Sequence, residues 1–294
     1  YLINPVIKIC RLSYIVFFFP LTLKRIRASW LDILVVLSRD SQLFIRTGLQ
    51  RSQMQIDPRT VAREIPGLFD EVFPQLTPGV VAHFNASAIA FPIRHIQPEL
   101  LAQSRLQRAM LFELGYTVGE CLLQGATVID WANCFQETLR RQRVYFDAQL
   151  PEELEPQDQM IAEIVGSNLA QVLTRMTEER GRKLCIKPKI AGLEWIANGC
   201  GDFSFGKTLV EVKCKAKRFS AADYRQVAVY WILSYAAAIE SRGDAWDDFI
   251  LLNPRSGHMV CMDFDAFLGV LSSGRTKVDI HQLFQSLVGS RLTR

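Results

Sequence analysis

The apolar pattern changes character twice along the chain. Residues 1–53 carry two apolar runs, Leu12–Leu23 and Trp30–Leu37, separated by Lys24, Arg25 and Arg27. Each falls short of the roughly twenty apolar residues that cross a bilayer, and Pro20 interrupts the first. The expectation is a helical hairpin packed on the rest of the protein, without membrane association. The first methionine is Met54, so the status of residues 1–53 is open. From 54 to 150 the spacing is helical: Leu100–Leu114 and Ala132–Val144 place apolar residues three and four apart. Pro58, Pro66, Pro74, Pro78, Pro92 and Pro98 cut the earlier part into short pieces. This stretch reads as a mainly helical accessory domain, followed by a Pro- and Glu-rich linker at Gln149–Gln157.

A third pattern fills 151–294. Gln157–Arg180 carries one long apolar stripe, including Met160, Ile161, Ile164, Val165, Leu169 and Leu173, and predicts a helix. Leu184–Ile190, Leu193–Phe205 and Thr208–Lys217 then predict strands. Ser220, with Asp223 three residues on, predicts the start of a helix running to about Ser241. Phe249–Leu252 and Met259–Phe264 predict two more strands around a Pro254–Gly257 turn, with Asp265 capping a short closing helix. The order is helix, three-stranded meander, helix, two strands, helix: an α/β domain preceded by a mostly helical region.

Three charges break the apolar rhythm of this domain. Gly206–Lys207 suits a two-residue hairpin turn with glycine at its first central position. Paired residues then sum to 413, so Asp202 faces Glu211, with Cβ atoms about 4.5–5.5 Å apart. Lys213 lies two residues beyond Glu211 and points to the same side. Two carboxylates this close repel unless a cation joins them. Mg²⁺ suits them, because it takes hard oxygen ligands and needs only one or two carboxylates. A lysine beside such a metal can orient water or offset developing negative charge. The same three residues also fit a structural salt bridge on a sheet face. The neighbouring Leu209, Val210 and Val212 favour an interior strand, where charges commonly have a function. Gln226 and Tyr230, four apart on the following helix, share one face.

Composition adds little to this. The net charge is +4, and the apolar and charged fractions, 49% and 22%, are those of a globular protein. The charge is uneven: Arg180–Arg225 holds 11 Lys or Arg against four Asp or Glu. That points modestly to a polyanion, with Lys215, Lys217 and Arg225 as candidate phosphate contacts. The 7 cysteines include no CxxC pair, which argues against a zinc ribbon or a disulfide framework and is consistent with a reduced, cytoplasmic protein. His83, His95, His258 and His281 lack metal-ligand spacing, and Ser204 and Ser256 lack a nucleophile context.

The strand–turn–strand GD…EVK followed by QxxxY resembles the PD-(D/E)xK nuclease superfamily, in particular its RecB-like branch. KPKIAGLEWIANGCGDFSFG also resembles the strands that lead to that family's metal-binding aspartate, and the likeness covers about Gln157–Phe267. It implies a restriction-endonuclease-like core and a Mg²⁺-dependent DNA nuclease, with Mn²⁺ as a substitute ion. Asp202 and Glu211 would be metal ligands, Lys213 the catalytic lysine, and Gln226 and Tyr230 the supporting QxxxY pair. Glu163 would be the acidic group of the first helix. The histidine that many relatives carry on that helix is missing; Gly166-Ser167-Asn168 stands near its place. Only Cys261 follows Cys214, so no iron–sulfur cluster is expected. There is no Walker-type loop and hence no nucleotide site; a helicase, ATPase or defence-system partner would be a separate protein. Repair, recombination and restriction of foreign (phage) DNA are the settings implied. The readings from other classes are a non-catalytic nucleic-acid-binding or assembly subunit with the same fold, and a membrane-associated protein tied to residues 12–37.

Overall fold

The structure, a computed structural model, describes residues 55–65 and 67–292. The hairpin expected within residues 1–53 lies outside them. The elements run α1 (Pro58–Glu64), α2 (Leu68–Val72), α3 (Pro78–Ala86), β1 (Ile89–Ala90), α4 (Pro98–Gln103), α5 (Arg108–Leu123), α6 (Trp131–Gln142) and α7 (Pro156–Arg180). They continue with β2 (Leu184–Ile186), β3 (Lys189–Ile190), β4 (Gly199–Cys200), β5 (Phe203–Phe205), β6 (Thr208–Val212), α8 (Ala221–Ile239), β7 (Asp248–Asn253), β8 (His258–Asp263), α9 (Phe264–Leu271) and α10 (Lys277–Leu292). This is a mixed α/β architecture: a mostly helical first part, then a six-stranded mixed sheet interleaved with helices. Among the described residues no helix is long and apolar enough to cross a membrane.

The helices begin where the chain satisfies their free N–H groups. Asp57, Thr77 and Asp130 each accept a backbone N–H at the start of α1, α3 and α6. Glu155 with Asp158, and Ser220 with Asp223, form reciprocal capping boxes for α7 and α8. Gly181 ends α7 at φ 59°, a left-handed conformation that glycine adopts without strain.

The sheet order is β1-β8-β7-β6-β5-β2. Only β6 and β7 run parallel, because α8 crosses between them; the other neighbours are antiparallel. The β5–β6 register is Phe203↔Val210, Ser204↔Leu209 and Phe205↔Thr208, the hairpin expected around Gly206–Lys207. Gly206 takes φ 60°, as the first central position of that turn requires. Alternation then sorts β6. Leu209 joins the core formed with α8, α9 and α10, whereas Val210 and Val212 pack against α7 with Phe203 and Phe205. The helical first part is built into this body: β1 adds an edge strand, and the described residues belong to one compact unit.

Several expected elements differ. The helix expected over Leu100–Leu114 is two, α4 and α5, with Ser104 extended at φ −67°, ψ 127° between them. The continuous strand expected over Leu184–Ile190 breaks at Lys187, whose φ of 54° turns the chain. Leu193–Phe205 likewise yields only β4 and β5, and β3 with β4 forms a separate two-stranded sheet. The Thr208–Lys217 strand stops at Val212, and Lys215 and Lys217 lie in the loop beyond it. Asp263, not Asp265, caps α9, accepting the Ala266 N–H at 2.9 Å. The closing helix α10 was not expected from the pattern.

One contact sets where α5 lies. Gly115 and Gly119 of α5 face Gly166 of α7. A Cβ on Gly166 would stand 2.6 Å from Val118 Cγ1 and 2.9 Å from the Gly119 backbone nitrogen. The two backbones therefore touch. Replacing Gly166 by Val should cost about 1–3 kcal/mol by overpacking and lower the melting temperature by roughly 2–4 °C per kcal/mol. Gly243→Ala, where no atom lies within 4 Å, should leave it unchanged. Thermal denaturation of the two variants beside the parent tests this.

Candidate active site

The meander and its packed helices leave a cavity of about 740 Å³ into which Asp202, Glu211, Lys213 and Gln226 all project. Asp202 is placed by a split in the sheet. Beyond Phe203↔Val210 the ladder would next bond Val212 to Gly201. Instead Gly201 N–H donates to the Pro188 carbonyl at 2.9 Å, and Lys187 N–H donates to the Asp202 carbonyl at 2.9 Å. The freed Val212 N–H donates to Asp202 Oδ2 at 2.7 Å. The aspartate therefore stands at the mouth of the split, next to the strand that carries Glu211 and Lys213.

Glu211 is buried, with 3% of its surface exposed. Its Oε1 accepts from Lys213 Nζ at 2.5 Å and from Gln226 Nε2 at 2.6 Å. Gln226 Oε1 accepts from Lys213 Nζ at 3.0 Å and from Arg63 at 3.1 Å, and its amide donates to the Tyr230 hydroxyl at 3.0 Å. The two sides of this one glutamine thus hold a carboxylate, an ammonium and a phenol in fixed relation. Arg59 stands beside Tyr230, where the charges of Asp202 and Glu211 act on its guanidinium. The outlier is Glu211 Oε2, buried with no donor. Burial, reinforced by the charge of Asp202 and only partly offset by Lys213, pushes the Glu211 carboxyl up to about 7. Burial and Glu211 also push the Tyr230 phenol well up, so it stays neutral.

The far wall of the cavity comes from α5 and α6. Arg141 of α6 bonds Glu113, Glu120 and Glu137 together, and its guanidinium lies 5.6 Å from the centre of the Tyr116 ring. Lys187 reaches Glu120 at 3.3 Å. Burial raises the Glu113 carboxyl against the pull of Arg141, and Asp202 adds to the rise.

The structure brings Asp202, Glu211, Lys213, Gln226 and Tyr230 together and leaves the remaining sequence candidates apart. Glu163 is exposed on α7 and does not line the cavity, because the inner face of α7 is filled by Gly166 and its apolar neighbours. The acidic helix beside Asp202 is α5. Lys215 borders the cavity but is held by Asp223 and Ser220 in the α8 cap. Lys217 is exposed in the loop. Arg225 points to the opposite side of α8, its guanidinium 5.6 Å from the Phe69 ring centre, over a second, apolar hollow. Sequence reading missed Arg59, Arg63, Glu113, Tyr116, Arg141 and Arg255. The only signal available was RTVAR at 59–63, with two arginines one helical turn apart.

A pH test follows from Glu211. Its folded value lies above the ordinary 4.5, so the folded protein binds the proton more tightly than the unfolded chain. The cost of ionising Glu211 is absent below about pH 4.5 and fully present above about pH 7. In thermal melts with EDTA, Glu211→Gln should gain on wild type as pH rises from 5 to 8. If the variant instead loses ground over that range, Lys213 outweighs burial and the assigned direction is wrong.

A scan of protein-family models and a search of curated proteins found no match to this chain, so the site is read from its own residues.

Proposed function

We propose that this protein is a Mg²⁺-dependent deoxyribonuclease, resembling the RecB-like branch of the PD-(D/E)xK superfamily, that hydrolyses phosphodiester bonds in repair, recombination or restriction of foreign DNA. The observation that carries the reading is the convergence of Asp202, Glu211 and Lys213 on one cavity, with Glu211 Oε2 buried there and without a donor. A buried carboxylate oxygen normally has a partner. A hard cation is a partner that the protein itself does not supply.

The donor set fits Mg²⁺. Among the described residues no group of three or more His, Cys, Asp or Glu is arranged to hold a metal ion. A carboxylate pair is what Mg²⁺ uses when it keeps several waters. Asp202 commits Oδ2 to the Val212 amide, which leaves Oδ1 as a ligand beside Glu211 Oε2. When bound, the ion would screen the phosphate's charge and make its water a better nucleophile.

The chain's own residues do the rest. Lys213, aimed by Glu211 and Gln226, presents its ammonium to the anionic transition state and can hand a proton to the departing oxygen. Gln226 and Tyr230 act as positioning residues: they fix the lysine and the carboxylate without needing to touch substrate. Arg63 and Arg255 also line the cavity and offer contacts to flanking phosphates. Glu113, close enough for its charge to act on Asp202, adds negative charge that a cation would offset.

The competing reading is a non-catalytic nucleic-acid-binding or assembly subunit. The network of Glu211 Oε1, Lys213 and Gln226 favours it, because those atoms are hydrogen-bonded without substrate. Cleavage separates the two. With Mg²⁺ or Mn²⁺ the protein should cut circular or linear DNA, single- or double-stranded, and EDTA should stop it. Lys213→Ala and Asp202→Ala, folded by circular dichroism, should lose at least a hundredfold in rate, the scale of a lost electrostatic group, about 10²–10³. Full cleavage by both variants would remove these residues from the chemistry. DNA binding without cleavage, unchanged in Glu211→Ala, would establish the subunit reading.

A further inference from the structure

Resting on the nuclease reading, we propose that the loop after α6, carrying Tyr145 and Phe146, is a base-stacking platform that selects single-stranded DNA for the cavity. Val144, Tyr145 and Phe146 are consecutive and exposed by 77%, 45% and 104%. Three adjacent apolar side chains in water are uncommon in a monomeric surface without a ligand. Val144 and Tyr145 line the same cavity as Asp202 and Glu211, so this apolar step stands at its mouth.

The loop is held in place. The Gln107 side chain donates to the Asp147 carbonyl at 3.3 Å and accepts the Gln149 N–H at 3.1 Å, which ties the loop to the start of α5. Tyr145 N–H closes a turn onto the Gln142 carbonyl at 3.0 Å. A fixed loop presents its rings at little entropic cost on binding.

Charge complementarity identifies the occupant. Arg108 and Arg255 border the cavity, and neither forms an ion pair among the described residues. Arg255 lies with its guanidinium 4.6 Å from the Phe112 ring centre; burial and the charge of Arg108 both oppose its own charge. Two cations that repel one another and lack a carboxylate call for an anion between them. Aromatic faces beside unpaired arginines are the two components of single-strand binding: rings for bases, cations for phosphates. The stacking geometry favours a single strand over a duplex. About 740 Å³ is the size of a small-molecule pocket. It accommodates a nucleotide or two of a single strand, whereas the bases of a duplex are stacked inside and unavailable to a ring.

The test is fluorescence anisotropy of the full chain in EDTA, with a labelled 20-mer of thymidylate and a duplex of equal length. The single strand should bind at least tenfold more tightly than the duplex. Phe146→Ala and Tyr145→Ala should each weaken single-strand binding by roughly five- to a hundredfold, the range for a lost base stack, and Phe146→Trp should retain it. Arg255→Ala should reduce the salt slope by about one, whereas the aromatic variants leave it unchanged. Phe146 is fully exposed, so a folding defect is not expected. Unchanged single-strand affinity in both alanine variants overturns the platform, as does tighter binding of the duplex, or capture of a protein instead of DNA. Cleavage with Mg²⁺ is scored separately. Cleavage that persists with no effect of Phe146→Ala sinks the platform and leaves the nuclease reading. Loss of single-strand binding in Phe146→Ala, with no cleavage by wild type, sinks the nuclease reading and leaves the platform. Failure to bind either DNA sinks both.

Discussion

A carboxylate buried in the middle of a sheet is the constraint around which this half of the molecule is arranged. Glu211 sits on β6 within its parallel pairing with β7, opposite Leu251, where apolar residues occupy nearly every neighbouring position. An isolated ion there would be expelled or neutralised. The chain answers with three groups brought from different distances: Lys213 from the same strand, Gln226 from α8, and behind it Arg63 from α1. Gln226 bonds to Glu211, Lys213 and Arg63 at once, so one side chain of the crossover helix ties β6, the residue beyond it and α1 together. The one oxygen they leave unserved, Oε2, faces the task that the arrangement exists to perform on the proposed reading.

The second constraint is the split in the sheet. A continuous ladder would have used Val212 N–H for a backbone bond and left Asp202 as an ordinary strand residue. The turn at Lys187 removes Gly201 from the ladder and lets a side chain take its place. Position 202 thereby changes from a pleat position to a cap. Capping aspartates are held by the backbone itself, which fixes a carboxylate more firmly than side-chain packing alone.

The hairpin was legible because it is local. Gly206 at the turn and a pairing sum of 413 place Asp202, Glu211 and Lys213 on one side, and the observed register agrees. The Ser220–Asp223 capping box was legible for the same reason. What could not be read was which distant helix would close the site. Glu163 lies on an amphipathic helix of the right length and order, yet α7 turns its apolar face inward, and the Gly115, Gly119 and Gly166 contact brings α5 close enough to present Glu113 instead. Nothing in the spacing of residues 108–123 announces that close approach, since glycine contact depends on the partner helix as much as on its own sequence. Arg225 fails for a simpler reason. It neighbours Gln226 in sequence, but successive helix positions point about 100° apart, and one step takes it to the other side of α8.

The distribution of charge follows from these placements. The buried carboxylates Glu120 and Glu211 are each bound to cations of the protein, and Arg141 alone gathers three acidic side chains. Among the described residues Arg59, Arg63, Arg108 and Arg255, all in the lining, form no ion pair. The site is therefore not uniformly basic, as a simple phosphate groove would be. Ion-paired charge and arginines without a carboxylate partner are mixed in the lining, so it attracts a polyanion, while Asp202, Glu211 and Glu113 add local negative charge. An approaching phosphate can be drawn to the arginines, and it is repelled locally where it nears Asp202, Glu211 and Glu113 until those carboxylates are neutralised. Protons do so only as pH falls below the raised value of Glu211, which would also prevent the carboxylate from acting as a ligand. On the proposed reading a divalent cation would do so at neutral pH, so the same ion that would activate water would also relieve the local repulsion of the substrate.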